Sequence, residues 1–185
     1  MIEHITQIDF AVLNYIQEHF RCGFFDFLMP FLSHIAEAGI VWIVIAIAMM
    51  FFKKSRRCGI LMLISMALTL LIGEFIIKNI VCRVRPCNVN TTIEMLVKRP
   101  SSYSFPSGHT GSSFAAAMSI CLNKKWYWGL TAILFAALIG FSRMYLYVHY
   151  PTDVLAGMAL GMLIAVIVWA IAKKVAPKHN LKKAG

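Results

Sequence analysis

Five apolar runs, over residues 39–52, 59–81, 109–122, 127–146 and 154–172, constrain this chain more than any other feature. As a helix rising about 1.5 Å per residue, the run over 59–81 reaches ~34 Å and crosses a hydrocarbon core with slight tilt. The shorter runs need flanking residues to complete a crossing. Hydrophobic side chains make up 59% of the sequence, above the roughly half found in soluble domains. Mean hydropathy is +0.72, which places the chain in a bilayer. Helices satisfy their own backbone there, and no Gly/Ser-rich or Pro-rich linker divides the 185 residues. The expected fold is therefore all-α: one domain over 1–185, a polytopic membrane helical bundle of five to six transmembrane spans.

The first 37 residues differ from the rest. Ile5, Ile8, Val12, Tyr15 and Ile16 recur on a helical period, with Glu3, Asp9, Gln17 and Glu18 elsewhere. That pattern predicts an amphipathic helix lying along the membrane surface, and no basic start followed by a cleavage site marks it as a removable signal. The next apolar stretch, 24–36, is interrupted by Asp26, Pro30 and His34 and suits a half-buried or re-entrant helix.

Charge gives the orientation. The formal net charge of +10 is carried in short clusters between apolar runs, as in loops of membrane proteins, which argues against a nucleic-acid partner. Lys53, Lys54, Arg56 and Arg57 share one side with Lys124 and Lys125 and with Lys173, Lys174, Lys178, Lys182 and Lys183. By the positive-inside tendency that side, with the C-terminus, is cytoplasmic. Arg21, Lys78, Arg83, Arg85, Lys98, Arg99 and Arg143 then fall on the opposite side, against the tendency. Cations kept there suggest an anion site, although headgroup contact accounts equally for Arg21, Lys98 and Arg99. The five cysteines show no metal-ligand spacing; Cys82 and Cys87 are near enough in sequence to pair on an oxidising face.

Three polar groups carry the chemistry. Lys78 precedes Arg85 by seven residues, two helical turns, so both can clamp one phosphate, as a point charge and a planar fork. Glu74, four residues before Lys78, offers an intrahelical ion pair instead, or a means of positioning the lysine. Next, Pro106-Ser107-Gly108-His109 leads into an apolar run: Ser107 as cap, Gly108 for close approach and free N–H groups make an anion cradle, with His109 at its rim. The same residues also make ordinary turns. Last, Arg143 stands six residues before His149, and Asp153 four after it, beyond a helix-starting Pro151. The carboxylate can orient the imidazole; equally, the pair suits a helix cap and a dipole partner.

Taken together, Lys-x6-Arg-Pro, Pro-Ser-Gly-His and Ser-Arg-x5-His-x3-Asp resemble the three-part signature of the type 2 phosphatidic acid phosphatase superfamily, over residues 78–153. The resemblance implies a membrane-embedded lipid phosphatase of the bacterial cytoplasmic (inner) membrane, its site extracytoplasmic. It further implies that His149 attacks phosphorus to form a phosphohistidine, that Asp153 orients His149, and that His109 protonates the leaving oxygen. Lys78, Arg85, Arg143, Ser107 and Gly108 would hold the phosphoryl oxygens. Among short bacterial members, undecaprenyl diphosphate is the first-choice substrate, ahead of phosphatidylglycerophosphate, phosphatidic acid and lipid A phosphates. Lys98 and Arg99, in the link between Pro86 and Pro106, could meet a second phosphate. The implied partners are the lipid phosphate or diphosphate and membrane lipids.

Two other classes compete. A soluble vanadate-dependent haloperoxidase shares the signature but would lack the apolar runs. A lipid-phosphate binder or transporter could use the cations without His149, yet no internal repeat pairs the two halves.

No cofactor and no metal is expected, because Asp153 and Glu94 are too few carboxylates for a two-metal centre. Phosphate release should accordingly survive EDTA; loss with chelator and recovery with Mg²⁺ would contradict this.

Overall fold

The structure, a computed structural model, describes residues 2–175, with side chains from residue 4 onward. Helices α1 (Ile2–Phe20) and α2 (Gly23–Ile35) lead through a 3₁₀ turn, Glu37–Gly39, into α3 (Ile40–Phe51). Next, α4 (Arg56–Leu70) widens into a π-helical stretch, Leu71–Ile77, and resumes as α5 (Lys78–Val81). The short α6 (Pro86–Val89) precedes α7 (Gly108–Asn123), α8 (Trp126–Tyr145) and α9 (Pro151–Val175). The chain is all-helical among the described residues.

By length and apolar composition three helical stretches can cross a membrane: Arg56–Val89, Trp126–Tyr145 and Pro151–Val175. A fourth joins them if α2 and residues 37–51, bent by 50° at their junction, form one broken span. Their outward faces are apolar, with Leu68, Leu134, Leu155, Leu163 and Ile171 all exposed. A surface of that kind needs lipid against it. The chain is thus a multi-pass membrane protein. The run over 109–122, expected among the spans, forms the central helix α7, 16 residues long. It is packed by α4, α8 and α9. Its Gly, Ala and Ser residues suit close contact with protein on all sides.

Two contacts fix the bundle. Gly111 of α7 meets Gly157 and Gly161 of α9 so closely that a Cβ on Gly161 would stand 2.1 Å from the Gly111 carbonyl oxygen. The two helices run in parallel, both starting at the same end, where the Ser107 N–H donates to the Asp153 carbonyl at 3.0 Å. At the other end Lys124 donates to the Lys54 carbonyl at 3.0 Å and to Ser55 Oγ at 2.7 Å, gathering two of the three basic clusters. Part of the third, Lys178, Lys182 and Lys183, lies outside the described residues.

The first helix is amphipathic in an unexpected way. Ile5, Ile8, Val12 and Tyr15 stay exposed, while Asp9, Leu13 and Ile16 turn inward. Leu13 and Ile16 join Met29, Leu32 and the segment Tyr145–Val148 in a second core. Cys82 and Cys87 are free thiols, one exposed and one buried, and do not pair.

Gly161→Ala should destabilise the bundle by about 1–3 kcal/mol, the usual cost of overpacking, and lower its thermal midpoint in detergent. Gly23→Ala is the control: nothing lies within 4 Å of a Cβ there, and its midpoint should hold.

Candidate active site

After α8 the chain turns back on itself. The N–H groups of Val148 and His149 both donate to the Arg143 carbonyl, at 3.2 and 3.4 Å. Tyr147 takes φ 57°, in the left-handed region. A non-glycine residue there costs roughly 1–2 kcal/mol, so neighbouring contacts must hold it. They come from the N-terminal helices: Tyr147 Oη donates to Asn14 Oδ1 at 2.9 Å, and Gln17 Nε2 to the Tyr145 carbonyl at 2.8 Å. Tyr145 Oη donates to Asp26 Oδ1 at 2.7 Å. His149 is thereby set at the floor of a cleft, 2% exposed.

That cleft, about 660 Å³, is lined by Lys78, Arg85, Gly108, His109 and His149, with Leu70 and Phe75 on its wall. Lys78 Nζ binds both Glu74 carboxylate oxygens at 2.7 Å. The ion pair considered from sequence therefore forms, and it orients the lysine. Gly108 permits it, since a Cβ there would stand 2.3 Å from Glu74 Oε1. Arg85 spreads its fork: Nε donates to the Ser102 carbonyl at 2.7 Å, Nη2 to Ser102 Oγ at 2.9 Å and Nη1 to the Val148 carbonyl at 2.9 Å. The same Nη1 lies 3.0 Å from His149 Nε2.

Because a guanidinium can only donate, Nε2 must present its lone pair, and the ring proton belongs on Nδ1. Nδ1 faces Asp153 Oδ2 at 3.6 Å, beyond hydrogen-bond length but on the right side. Burial pushes the His149 imidazole down to about 3; Asp153 pulls upward, and Arg85 and Arg143 push down with the burial. A neutral ring whose Nε2 carries the lone pair has the protonation state that nucleophilic attack requires.

Asp153 is itself held on every side. Oδ2 accepts from Ser104 Oγ and, at 2.9 Å, from the Tyr150 N–H. Oδ1 accepts from Arg83 Nη1 at 2.7 Å, and Arg83 Nη2 reaches Asp9 Oδ2 at 2.7 Å.

A smaller cavity of about 280 Å³, lined by Ser33, His34, Glu37, Lys98 and Arg143, also borders His109. Arg143 bonds Ser33 Oγ, and its buried Nε has no partner among the described residues. Two of the converging cations are therefore paired with acid, Lys78 by Glu74 and Arg83 by Asp9 and Asp153. Neither Arg85 nor Arg143 has a carboxylate partner among the described residues. Uncompensated buried guanidinium groups suit an anion. Among the described residues no three His, Cys, Asp or Glu side chains gather to hold a metal ion.

The expected residues thus fall into three layers. Lys78, Arg85, Gly108, His109 and His149 face the main cleft, while Arg143 lies beside it. Asp153 sits behind His149. Ser107 caps α7, sharing a 2.9 Å bond with Thr110 Oγ1, and does not line the cleft. Arg99 donates to the Thr91 carbonyl at 3.0 Å, and Glu94 lies 3.7 Å from Arg21, so neither reaches it. Asp9, Ser102 and Ser104 were not singled out from sequence; the one available signal was an aspartate in register with Leu13 and Ile16.

The PAP2 superfamily profile matches residues 59–177. Undecaprenyl-diphosphatase of Sulfolobus acidocaldarius is 35% identical over 153 residues, covering 82% of this chain and 71% of the relative. Lipid A 4'-phosphatase of Porphyromonas gingivalis is 27% identical, covering 92% and 75%. A transmembrane PAP2-type phosphatidylglycerolphosphate phosphatase from Bacillus subtilis superposes with a TM-score of 0.76 at 28% identity, covering 95% of this chain and 89% of that one.

Since a depressed pKa keeps a base neutral as pH falls, His149 should remain an uncharged Nδ1–H tautomer at pH 5. ¹⁵N-histidine spectra, assigned by loss of the signal in His149→Gln, check this; an imidazolium at pH 5 would contradict it.

Proposed function

The chain belongs to the PAP2 superfamily and is a membrane lipid phosphatase, and from that premise we propose that it transfers the phosphoryl group of its substrate to His149. The observation that carries this reading is the 3.0 Å approach of Arg85 Nη1 to His149 Nε2, inside a cleft shared with Lys78 and His109. The nitrogen with the free lone pair is the one beside the anion-binding fork.

These positions support the following reaction. The Nε2 lone pair attacks phosphorus, the bond from phosphorus to the leaving oxygen breaks, and that oxygen takes a proton from His109. Asp153 balances the positive charge that forms on the ring. Water then attacks the phosphohistidine and gives its proton to His109. The P–N bond breaks with its electron pair returning to Nε2, and inorganic phosphate leaves. Lys78, Arg85, Arg143 and the α7 N-terminus at Gly108 stabilise the phosphoryl oxygens, the largest demand of phosphoryl transfer. No metal takes part.

A lipid fits the cleft wall. Leu70 and Phe75 line it from the α4–π segment, and Phe75 is 70% exposed on the outer face. A tail can leave sideways past Phe75 into the bilayer while its phosphate stays among the cations. Undecaprenyl diphosphate is the preferred substrate, supported by the second cavity beyond His109, where Arg143 and Lys98 would meet the second, lipid-attached phosphate, the one that leaves when His149 takes the terminal phosphoryl group. The basic end defined by Lys54 and Lys124 is cytoplasmic, which makes the site extracytoplasmic in a bacterial inner membrane. In this arrangement α3, α4–α5, α7, α8 and α9 are the spans, with α2 re-entrant and α1 at the interface on its Ile5, Ile8, Val12 and Tyr15 face.

His149→Ala should abolish phosphate release by folded protein in detergent, whereas near-normal turnover would refute the nucleophile. Assayed against undecaprenyl diphosphate, phosphatidylglycerophosphate, phosphatidic acid and a lipid A phosphate, the wild-type protein should prefer the first; a glycerolipid preference would overturn that choice.

A further inference from the structure

Asp9 is 1% exposed, on the first helix and far in sequence from the motifs that line the cleft. The reaction just described does not use it. Its Oδ2 accepts from Arg83 Nη2 at 2.7 Å and from Thr152 Oγ1 at 2.6 Å, and its Oδ1 accepts from the Thr152 N–H at 3.1 Å. Arg83 in turn binds Asp153 Oδ1 at 2.7 Å through Nη1, and its guanidinium carbon lies 3.8 Å from the centre of the Tyr150 ring. Two carboxylates thus share one guanidinium.

The charge balance of this cluster matters for His149. With Nδ1 protonated, phosphorylation of Nε2 makes the ring cationic, and the facing Asp153 must supply the opposite charge. Arg83 alone would cancel Asp153, leaving a neutral pair behind the nucleophile. Asp9 cancels Arg83 instead, so the three groups together carry one net negative charge. Like and unlike charges within a few ångströms of a buried group shift its energetics strongly. Arg85 and Arg143 press on the other side of the ring and sharpen the need.

Resting on the assignment of His149 as nucleophile, we infer that Asp9 is a positioning residue of the reaction. It neutralises Arg83 and so leaves Asp153 as the working counter-ion of His149. The competing role is mechanical: Asp9 anchors α1 to the first turn of α9 through Thr152. Both roles lose something in Asp9→Asn, but they diverge when Arg83 is changed as well.

The experiment measures kcat, KM and thermal midpoint in detergent on whichever panel lipid turns over fastest. Asp9→Asn should lower kcat about 10-fold or more with KM within about 3-fold, the pattern of an interaction used in the transition state. Adding Arg83→Gln removes the uncancelled cation, restores the single negative charge, and should raise kcat at least about 3-fold above Asp9→Asn alone. A mechanical anchor predicts the reverse, because the double variant loses more bonds. A double variant no faster than Asp9→Asn, or an Asp9→Asn kcat within about twofold of wild type, overturns the inference. Should Asp9→Asn not fold, Thr152→Val decides: it removes the Oγ1 bonds to Asp9 and Arg83 without altering charge, and a kcat loss of about 10-fold or more would show the mechanical role. A smaller loss supports the charge role. His149→Ala runs alongside. Turnover in that variant defeats the nucleophile assignment and this inference together, whereas an inactive His149→Ala with a wild-type-like Asp9→Asn defeats only the latter.

Discussion

Everything in this site depends on the backbone contact between α7 and α9. In a bilayer, apolar side chains gain nothing from meeting each other rather than lipid, so helix association falls to packing and hydrogen bonds. Gly111, Gly157 and Gly161 let the two backbones meet, and the Ser107 N–H to Asp153 carbonyl bond fixes their relative height. Two helix N-termini are thereby brought side by side at one end of the bundle. The α7 N-terminus lines the cleft with Gly108 and His109 and brings its positive dipole end there. His109 comes from one of the two helices and the Asp153 that backs His149 from the other, so a slip of the pair would move His109 away from His149 and Asp153.

Around that frame the charges divide by whether they are already matched. Glu74 holds Lys78, and Asp9 with Asp153 holds Arg83. Arg85 and Arg143 are kept in place by carbonyl and hydroxyl oxygens, which orient a guanidinium without neutralising it. Attraction for a phosphate is therefore concentrated beside His149 rather than spread over the surface. The same two arginines favour the neutral imidazole, while the carboxylate behind it pulls the other way.

The N-terminal helices belong to this machinery. Asn14 and Gln17 of α1 and Asp26 of α2 hold the turn that contains Tyr147, and Asp9 reaches the first turn of α9. A helix that reads as a surface float on its Ile5 to Tyr15 stripe has a second, narrower face that supports the site. Its amphipathic character is divided between lipid on one side and protein on the other.

By itself the sequence determined the helical membrane class, the positions of the main helices and the identity of the residues that gather at the cleft. Long apolar runs and fixed motif spacings are local properties, legible without the fold. Which partner satisfies which charge was not local. Glu74 could have paired with Lys78 or faced solvent. Asp9 could have been one polar residue of an amphipathic helix, and Ser107 could have faced the phosphate as well as capped α7. Only the tertiary structure decided these, because bonds such as those from Asp9 to Arg83 and Thr152 join residues on different helices, and burial sets whether a charge must find a partner. The sequence likewise marked 109–122 as a span by its apolarity, and only packing by α4, α8 and α9 made it the bundle's centre, where small residues serve contact with neighbouring helices rather than with lipid.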